Sequence, residues 1–223
     1  MKHLAVYDMD KTITHSPTWT RFLIETARAE SPWRLALLPV VAVAGVGYTL
    51  RLVDRARLKE IAQRLLLGAR MPEAVAARAA RRFAERLDDS GIYAGARRQI
   101  VADRDSGHRL VMATASYGFY AEAIAARLGF DAVIATQVVR EDGMIRAKIA
   151  GENCYGPAKL RMIEAWLAGQ GIARSESRVR FYSDHASDAP ALGWADVGIA
   201  VNPHPPLRAM AKVRGWAIED WVR

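Results

Sequence analysis

The chain has 223 residues, 51% hydrophobic and 25% charged, a balance that excludes an intrinsically disordered protein and allows a sizeable buried core. A single cysteine, Cys154, excludes an intrachain disulfide framework. The net charge of +8 favours anionic partners in general (phosphorylated metabolites, anionic lipid or nucleic acid) and equally fits an arginine-rich composition.

Residues 4–7 form a short apolar run ahead of Asp8 and read as a buried strand. No long apolar region or small-residue cleavage site accompanies them, so the run is not a secretory signal and the expected location is the cytoplasm. From about residue 18 to residue 87 the texture changes to alanine, leucine and arginine. Helices are predicted over 20–29, 58–67 and 72–87. In the last, Val75, Ala79, Phe83 and Leu87 recur at helical spacing, and Pro72 stands near the start, where proline is tolerated. Residues 35–50 of this block carry no charge. A membrane-crossing helix needs about 20 apolar residues, and this stretch is shorter and contains Pro39, Gly45 and Gly47. It reads either as a buried helix or helical hairpin, or as an interfacial element dipping into a membrane surface. Arg51, Arg55, Arg57, Lys59 and Arg64 follow it, either to meet anionic head groups or to solvate a helix face.

Beyond Gly91 strands and helices alternate. Strands are predicted over 109–113, 132–137, 144–149, 179–183, 197–201 and 216–218, and helices over 120–128 and 158–168. Asp142-Gly143 is a turn signal between two of the strands. Alternation of this kind implies an α/β fold, a largely parallel sheet covered on both faces. A helical block therefore interrupts an α/β core just after its first strand.

Polar groups suited to phosphoryl chemistry end three of these strands. The first is followed by Asp8-Met9-Asp10-Lys11-Thr12, which in extended chain points Asp8 and Asp10 the same way. At about 4 Å and an effective dielectric near 20, two like charges repel by roughly 4 kcal/mol. A hard divalent cation with oxygen ligands is the natural compensation. The run 110–113 leads into Thr114-Ala115-Ser116, whose hydroxyls either meet a phosphate oxygen or cap a helix. Strand 179–183 leads into Asp184, with Asp188 one helical turn further on. Lys159 opens a predicted helix after Gly156-Pro157. Ligands gather at the carboxyl ends of strands in parallel sheets. No single residue supplies the acceleration that phosphate-monoester hydrolysis requires, so a metal, a nucleophile, a cation and an acid are expected together. His185 reads as a solvated loop residue or as part of the entrance, and His204 carries no evident chemistry.

Those four stretches, taken in chain order with Lys159 ahead of Asp184, resemble the motifs of the haloacid dehalogenase-like superfamily, in its phosphoserine-phosphatase-like subfamily IB with a helical cap. The segment Val201-Asn202-Pro203, Leu207-Arg208-Ala209-Met210-Ala211 and Gly215-Trp216 resembles it too. The resemblance implies a Rossmann-like core of residues 1–15 and 91–223 and an all-helical cap of residues 16–90. It implies that Asp8 is the nucleophile and Asp10 the general acid and base, with Thr114 and Lys159 holding the transferring group. Thr12, Ala115 and Ser116 join them as the expected phosphate cradle. Magnesium is the implied cofactor, held by Asp8, Asp10 through its backbone carbonyl, and Asp184. Ser187 and Asp188 support its water shell, or Asp188 orients Lys159.

The implied activity is a phosphomonoester hydrolase with a phosphoaspartyl intermediate. Relatives often carry Ser-Gly-Gly where this chain has Thr114-Ala115-Ser116, and an early glutamate where this chain has no acid between Asp10 and Glu25. Both departures argue against phosphoserine; the alternatives to the main reading are a phosphoserine phosphatase and a non-enzymatic anion- or nucleic-acid-binding protein. Ser187 stands where many relatives have Asn. The candidate substrates are a small soluble phosphomonoester or a lipid phosphate resembling phosphatidylglycerophosphate, the latter with the cap touching an anionic membrane at its inner face. A nucleic-acid partner is not expected, because no recognition motif or interleaved aromatics accompany the basic charge.

Overall fold

The computed structural model describes residues 1–222. Strand β1, Lys2–Tyr7, is buried on both faces: Leu4 and Val6 enter one apolar cluster, Ala5 and Tyr7 the other. A strand whose alternate side chains all meet apolar neighbours belongs in the middle of a covered sheet, and β1 lies there, paired in parallel with β3 (Arg109–Tyr117) and β6 (Ser177–Ser183). Outward from β3 come β4 (Ala132–Glu141), then antiparallel β5 (Met144–Ala150) and the short β2 (Arg70–Pro72). Outward from β6 come β7 (Val197–Val201) and β8 (Ala217–Glu219), both parallel. The described residues thus form one sheet of order β2-β5-β4-β3-β1-β6-β7-β8. The connections from β1 diverge to its two sides, which leaves a crevice at its carboxyl end.

Between β1 and β2 the chain builds α1 (Trp19–Glu30), a 3-10 segment (Pro32–Leu37), α2 (Leu38–Thr49) and α3 (Arg55–Leu66). Asp54 starts α3 by accepting from the Arg57 N–H at 2.7 Å. Phe22 of α1 stacks on Tyr120 of α6 (Gly118–Leu128), with ring centroids 4.4 Å apart, and this joins the helical block to the core. Residues 70–90, grouped with the cap on sequence grounds, also touch the core. β2 pairs with β5, and α4 (Glu73–Ser90) packs along α6.

Two elements lie outside the expectations. Helix α5 (Ala94–Asp105) follows Gly91, where no element was predicted, and buries Ala96, Ile100 and Asp103 at helical spacing. Of the two readings of residues 35–50, burial fails. No residue of α2 or of the 3-10 segment is buried, and Val43 remains 70% exposed. Helices α7 (Pro157–Gly169), α8 (Ala189–Trp194) and α9 (Pro205–Arg214) complete the chain; α7 and α8 take their places on the Leu4 and Val6 side of the sheet.

Candidate active site

Tyr7 and Asp8 lie where β1 gives out, and the chain there is held from both sides. The Asp8 N–H donates to the Tyr182 carbonyl at 2.9 Å, and the Met9 carbonyl accepts from Ile13 and Thr14 at 2.9 and 3.0 Å. From behind, the Tyr7 hydroxyl donates to Asp103 Oδ2 at 2.6 Å, and Tyr182 donates to the same oxygen at 2.8 Å. Asp103 is fully buried and also receives Arg180 at 2.5 Å. Sequence reasoning passed over this carboxylate because it sits on a helix that was not foreseen.

Asp8, Asp10, Lys11, Thr114, Ala115, Lys159, Asp184, His185, Ser187 and Asp188 line one cleft of about 210 Å³. The carboxyl ends of β1, β3 and β6 and the first turn of α7 meet there. Lys159, 2% exposed, donates to Asp8 Oδ1 at 2.7 Å and to Asp188 Oδ2 at 2.6 Å. Gly156, at φ +59, turns the chain into α7 and so delivers this lysine to the interior. Ser183 donates to Asp188 Oδ2 at 2.8 Å, while Asp188 Oδ1 is buried with no hydrogen-bond partner.

Burial, with the charges of Asp188 and Asp184 adding to it, pushes Asp8 up to about 8, against the pull of the Lys159 ammonium. Burial and Asp188 push Asp184 up to about 6. Lys159 is held well above the ordinary lysine range by Asp188 and Asp8, which outweigh its desolvation. Three buried carboxylates therefore face one buried ammonium, an excess of two negative charges when all are ionised. Among the described residues no three His, Cys, Asp or Glu side chains converge to hold a metal unaided. The expected set asks for less: two carboxylates and a backbone carbonyl. A hard divalent cation fits the oxygen-only donors, the charge excess and the free Asp188 oxygen.

Two of the expected phosphate ligands do other work. Thr12 is fully buried and lies outside the cleft lining. Its hydroxyl stands 3.4 Å from both Asp8 Oδ2 and Asp184 Oδ1 and accepts from the Asp184 N–H at 3.0 Å, so it ties the first motif to the last. Ser116 donates to Asp10 Oδ2 at 3.0 Å rather than facing the cleft. Thr114 lines the cleft, and its oxygen accepts from the Ser116 N–H at 3.1 Å. Asp10 Oδ1 takes both the N–H and the hydroxyl of Thr18, at 2.8 and 2.7 Å. Thr18 precedes α1, and its side chain serves Asp10 instead of capping that helix.

Ser187 pairs with the His185 ring at 2.8 Å. His185 lines the cleft and stacks on His204, with centroids 4.3 Å apart. His204 braces the Asp184 carbonyl through its backbone N–H (3.2 Å) and its ring Nδ1 (3.0 Å), a role that its proline-rich surroundings did not suggest.

A second cavity of about 250 Å³ adjoins the first and shares Asp10, Pro17, Arg55 and Ala115 with it. Trp19, Thr20, Tyr48, Leu58, Lys59 and Ser116 line the rest. Lys59, expected on a solvated or lipid-facing flank, is buried instead. It crosses from α3 to the core, donating to the Ala115 carbonyl and, at 2.8 Å, to Asn153 Oδ1. Burial and nearby Arg55 lower it to about 7. Position in a run of arginines hid it; its place on the helix stripe with Ala62, Gln63 and Leu66 was the available signal.

Residues 5–193 match the sequence model of the haloacid dehalogenase-like hydrolases. The chain belongs to that family. This hydrolase is 30% identical over 130 residues to phosphoserine phosphatase SerB1 of Mycobacterium tuberculosis, a match covering 58% of this chain and 42% of the relative. The chain thus matches less than half the length of such curated relatives. The solved structure of a protein with unknown function from Bordetella pertussis superimposes with a TM-score of 0.88 at 26% identity, covering 99% of both chains. A phospho-aspartyl intermediate analogue of phosphoserine phosphatase superimposes with a TM-score of 0.63 at 19% identity, covering 100% of this chain and 94% of the other, a likeness of fold.

Proposed function

We propose that this hydrolase is a magnesium-dependent phosphomonoesterase that works through a phosphoaspartyl intermediate on Asp8. The observation that carries the reading is the buried set of Asp8, Lys159, Asp188 and Asp184, with its unbalanced negative charge. Magnesium, held by Asp8, Asp184 and the Asp10 carbonyl, would supply the charge neutralisation that lets an anionic nucleophile meet an anionic phosphate. An Asp8 oxygen forms the new bond to phosphorus as the bond to the ester oxygen breaks. Asp10, steered by Thr18 and Ser116, gives its proton to the departing alcohol. It then takes a proton from water, whose oxygen attacks phosphorus, releasing phosphate and restoring Asp8. Thr114 and Lys159 hold phosphoryl oxygens throughout.

The alcohol portion fits the second cavity. Among the described lining residues, that cavity offers one carboxylate, Asp10, against the Arg55 cation and the Lys59 amine, whose charge is about half present near neutral pH, with Trp19, Tyr48 and Leu58 as apolar wall. Glu25 is engaged by Arg21 and Arg86 instead. Such a lining favours a leaving group with apolar surface and a second negative charge over one with an ammonium. A lipid phosphate of the phosphatidylglycerophosphate kind satisfies both preferences, and phosphoserine satisfies one. Asp8→Asn is expected to abolish turnover, and wild-type protein is expected to bind beryllium fluoride only with magnesium. Turnover retained by the folded variant, or in excess chelator, overturns the reading.

A further inference from the structure

From Ser31 to Val53 the chain has no acidic residue, and its two charges are Arg34 and Arg51. Helix α2 in this stretch rests Leu38 and Val41 against the apolar cluster that the helical insertion shares with the core. It turns Val40, Val43, Val46 and Leu50 outward, at spacings of three and four residues that put them along one helix face. Leu52 just beyond is 78% exposed, and Trp33 at the other end 65%. Large apolar side chains scattered singly need no explanation, but a continuous row of them marks an interaction surface.

The row has a basic rim. At the Trp33 end, the Arg34 guanidinium lies 4.6 Å from the ring centroid but is turned inward, donating to the Leu65 carbonyl at 2.9 Å. Arg51 and Arg57 are exposed at the other end, and Arg55 opens toward the cleft. The nearest acids are occupied: Asp54 caps α3, and Glu60 holds Arg57 and the Ile149 N–H. A symmetric contact between two copies would set this rim against itself. An anionic lipid surface complements both the apolar row and the rim. Pro32–Thr49 form 18 consecutive helical residues, long and apolar enough by composition to cross a bilayer. Lying on the surface is the better match, because Leu35, Leu38 and Val41 of the same stretch pack against the protein's own apolar cluster.

We propose that the cap docks on an anionic lipid bilayer through this row, with the valines, Leu50, Leu52 and Trp33 at the acyl boundary and Arg51 among the phosphates. Docking holds independently of the chemistry assigned to Asp8. Its link to catalysis rests on that assignment: Tyr48, in the last turn of α2, also walls the cavity beside Asp10. A phosphorylated lipid would then reach Asp8 without leaving the surface.

The test is sedimentation of the full chain with sucrose-loaded vesicles, in chelator so that no turnover intervenes. Wild-type protein and Asp8→Asn are both expected to bind vesicles of phosphatidylglycerol and phosphatidylcholine. Pure phosphatidylcholine should bind at least tenfold more weakly, and added salt should weaken binding to the anionic vesicles. Val43→Asp, at an exposed site outside the catalytic machinery, should weaken binding at least tenfold with its Tm and its turnover of a soluble phosphomonoester unchanged. Arg51→Glu should erase the preference for anionic lipid. No binding to anionic vesicles, or binding that Val43→Asp and Arg51→Glu leave intact, overturns the proposal. So does a wild-type dimer in sedimentation velocity that Val43→Asp dissociates, since the row would then serve a second copy.

Discussion

Asp8 and Asp184 hold their protons more tightly in the folded chain than in an unfolded one, where each starts from 3.8. The sign of their effect on stability follows. With folded values raised to about 8 and about 6, their contribution is full below about pH 4 and is lost as pH climbs through 6 and then 8. In chelator, Tm is therefore expected to fall between pH 5 and 8. Magnesium reverses the preference because it binds the ionised carboxylates, so protons compete with it. Its half-saturating concentration is expected to rise roughly tenfold for each pH unit from 8 down to 6, and more steeply, toward about a hundredfold per unit, below 6 where Asp184 must also lose a proton. Calorimetric titration across that range checks the slope; an affinity unchanged from pH 8 to 5.5 would mean that these carboxylates are not the ligands. The residues themselves were legible in the sequence, because strand-ending acids stand out. Their partners were not: Thr12 and Ser116 look like phosphate ligands until folding gives them carboxylates to hold.

A strand places its final residue only as well as its own register is fixed. β1 is short, and its last side chain, Tyr7, is locked by Asp103 of α5 together with Tyr182 of β6, the two rings stacked 4.1 Å apart. Asp103→Ala leaves two buried hydroxyls and Arg180 without their acceptor. The expected cost is about 3 kcal/mol of stability, measured by urea unfolding. Activity should fall as well, with the metal affinity weakened because Asp8 is the next residue along. At this scale the sequence was readable where apolar periodicity was clean, as in β1 and α4. It was unreadable in α5, where arginines and a buried acid break the apolar stripe. It was ambiguous in α2, since a helix apolar on every side belongs equally to a core or to a lipid surface.

Over the whole molecule, alternation of strand and helix after Gly91 was enough to indicate the parallel core, and order along the chain was enough to place the helical insertion behind β1. The grip of one on the other could not be read, because it depends on single long-range contacts. Thr18 reaches Asp10, Phe22 reaches Tyr120, and Lys59 reaches Ala115 and Asn153. Likeness to the Bordetella pertussis structure over 99% of both chains extends to this arrangement as a whole, at 26% identity.

Cys154 adjoins Asn153 and packs into the core cluster of Leu4 and Val6, fully buried, with its thiol pushed up to about 12 by desolvation. A thiol so placed reacts with nothing while the core around it is closed, and it is the chain's one sulfhydryl. It is a natural clock for local opening of the fold. Under excess of a disulfide reagent at mildly alkaline pH, the labelling rate should become independent of reagent concentration and equal the rate at which its surroundings open. A tightly held phosphate mimic should slow it.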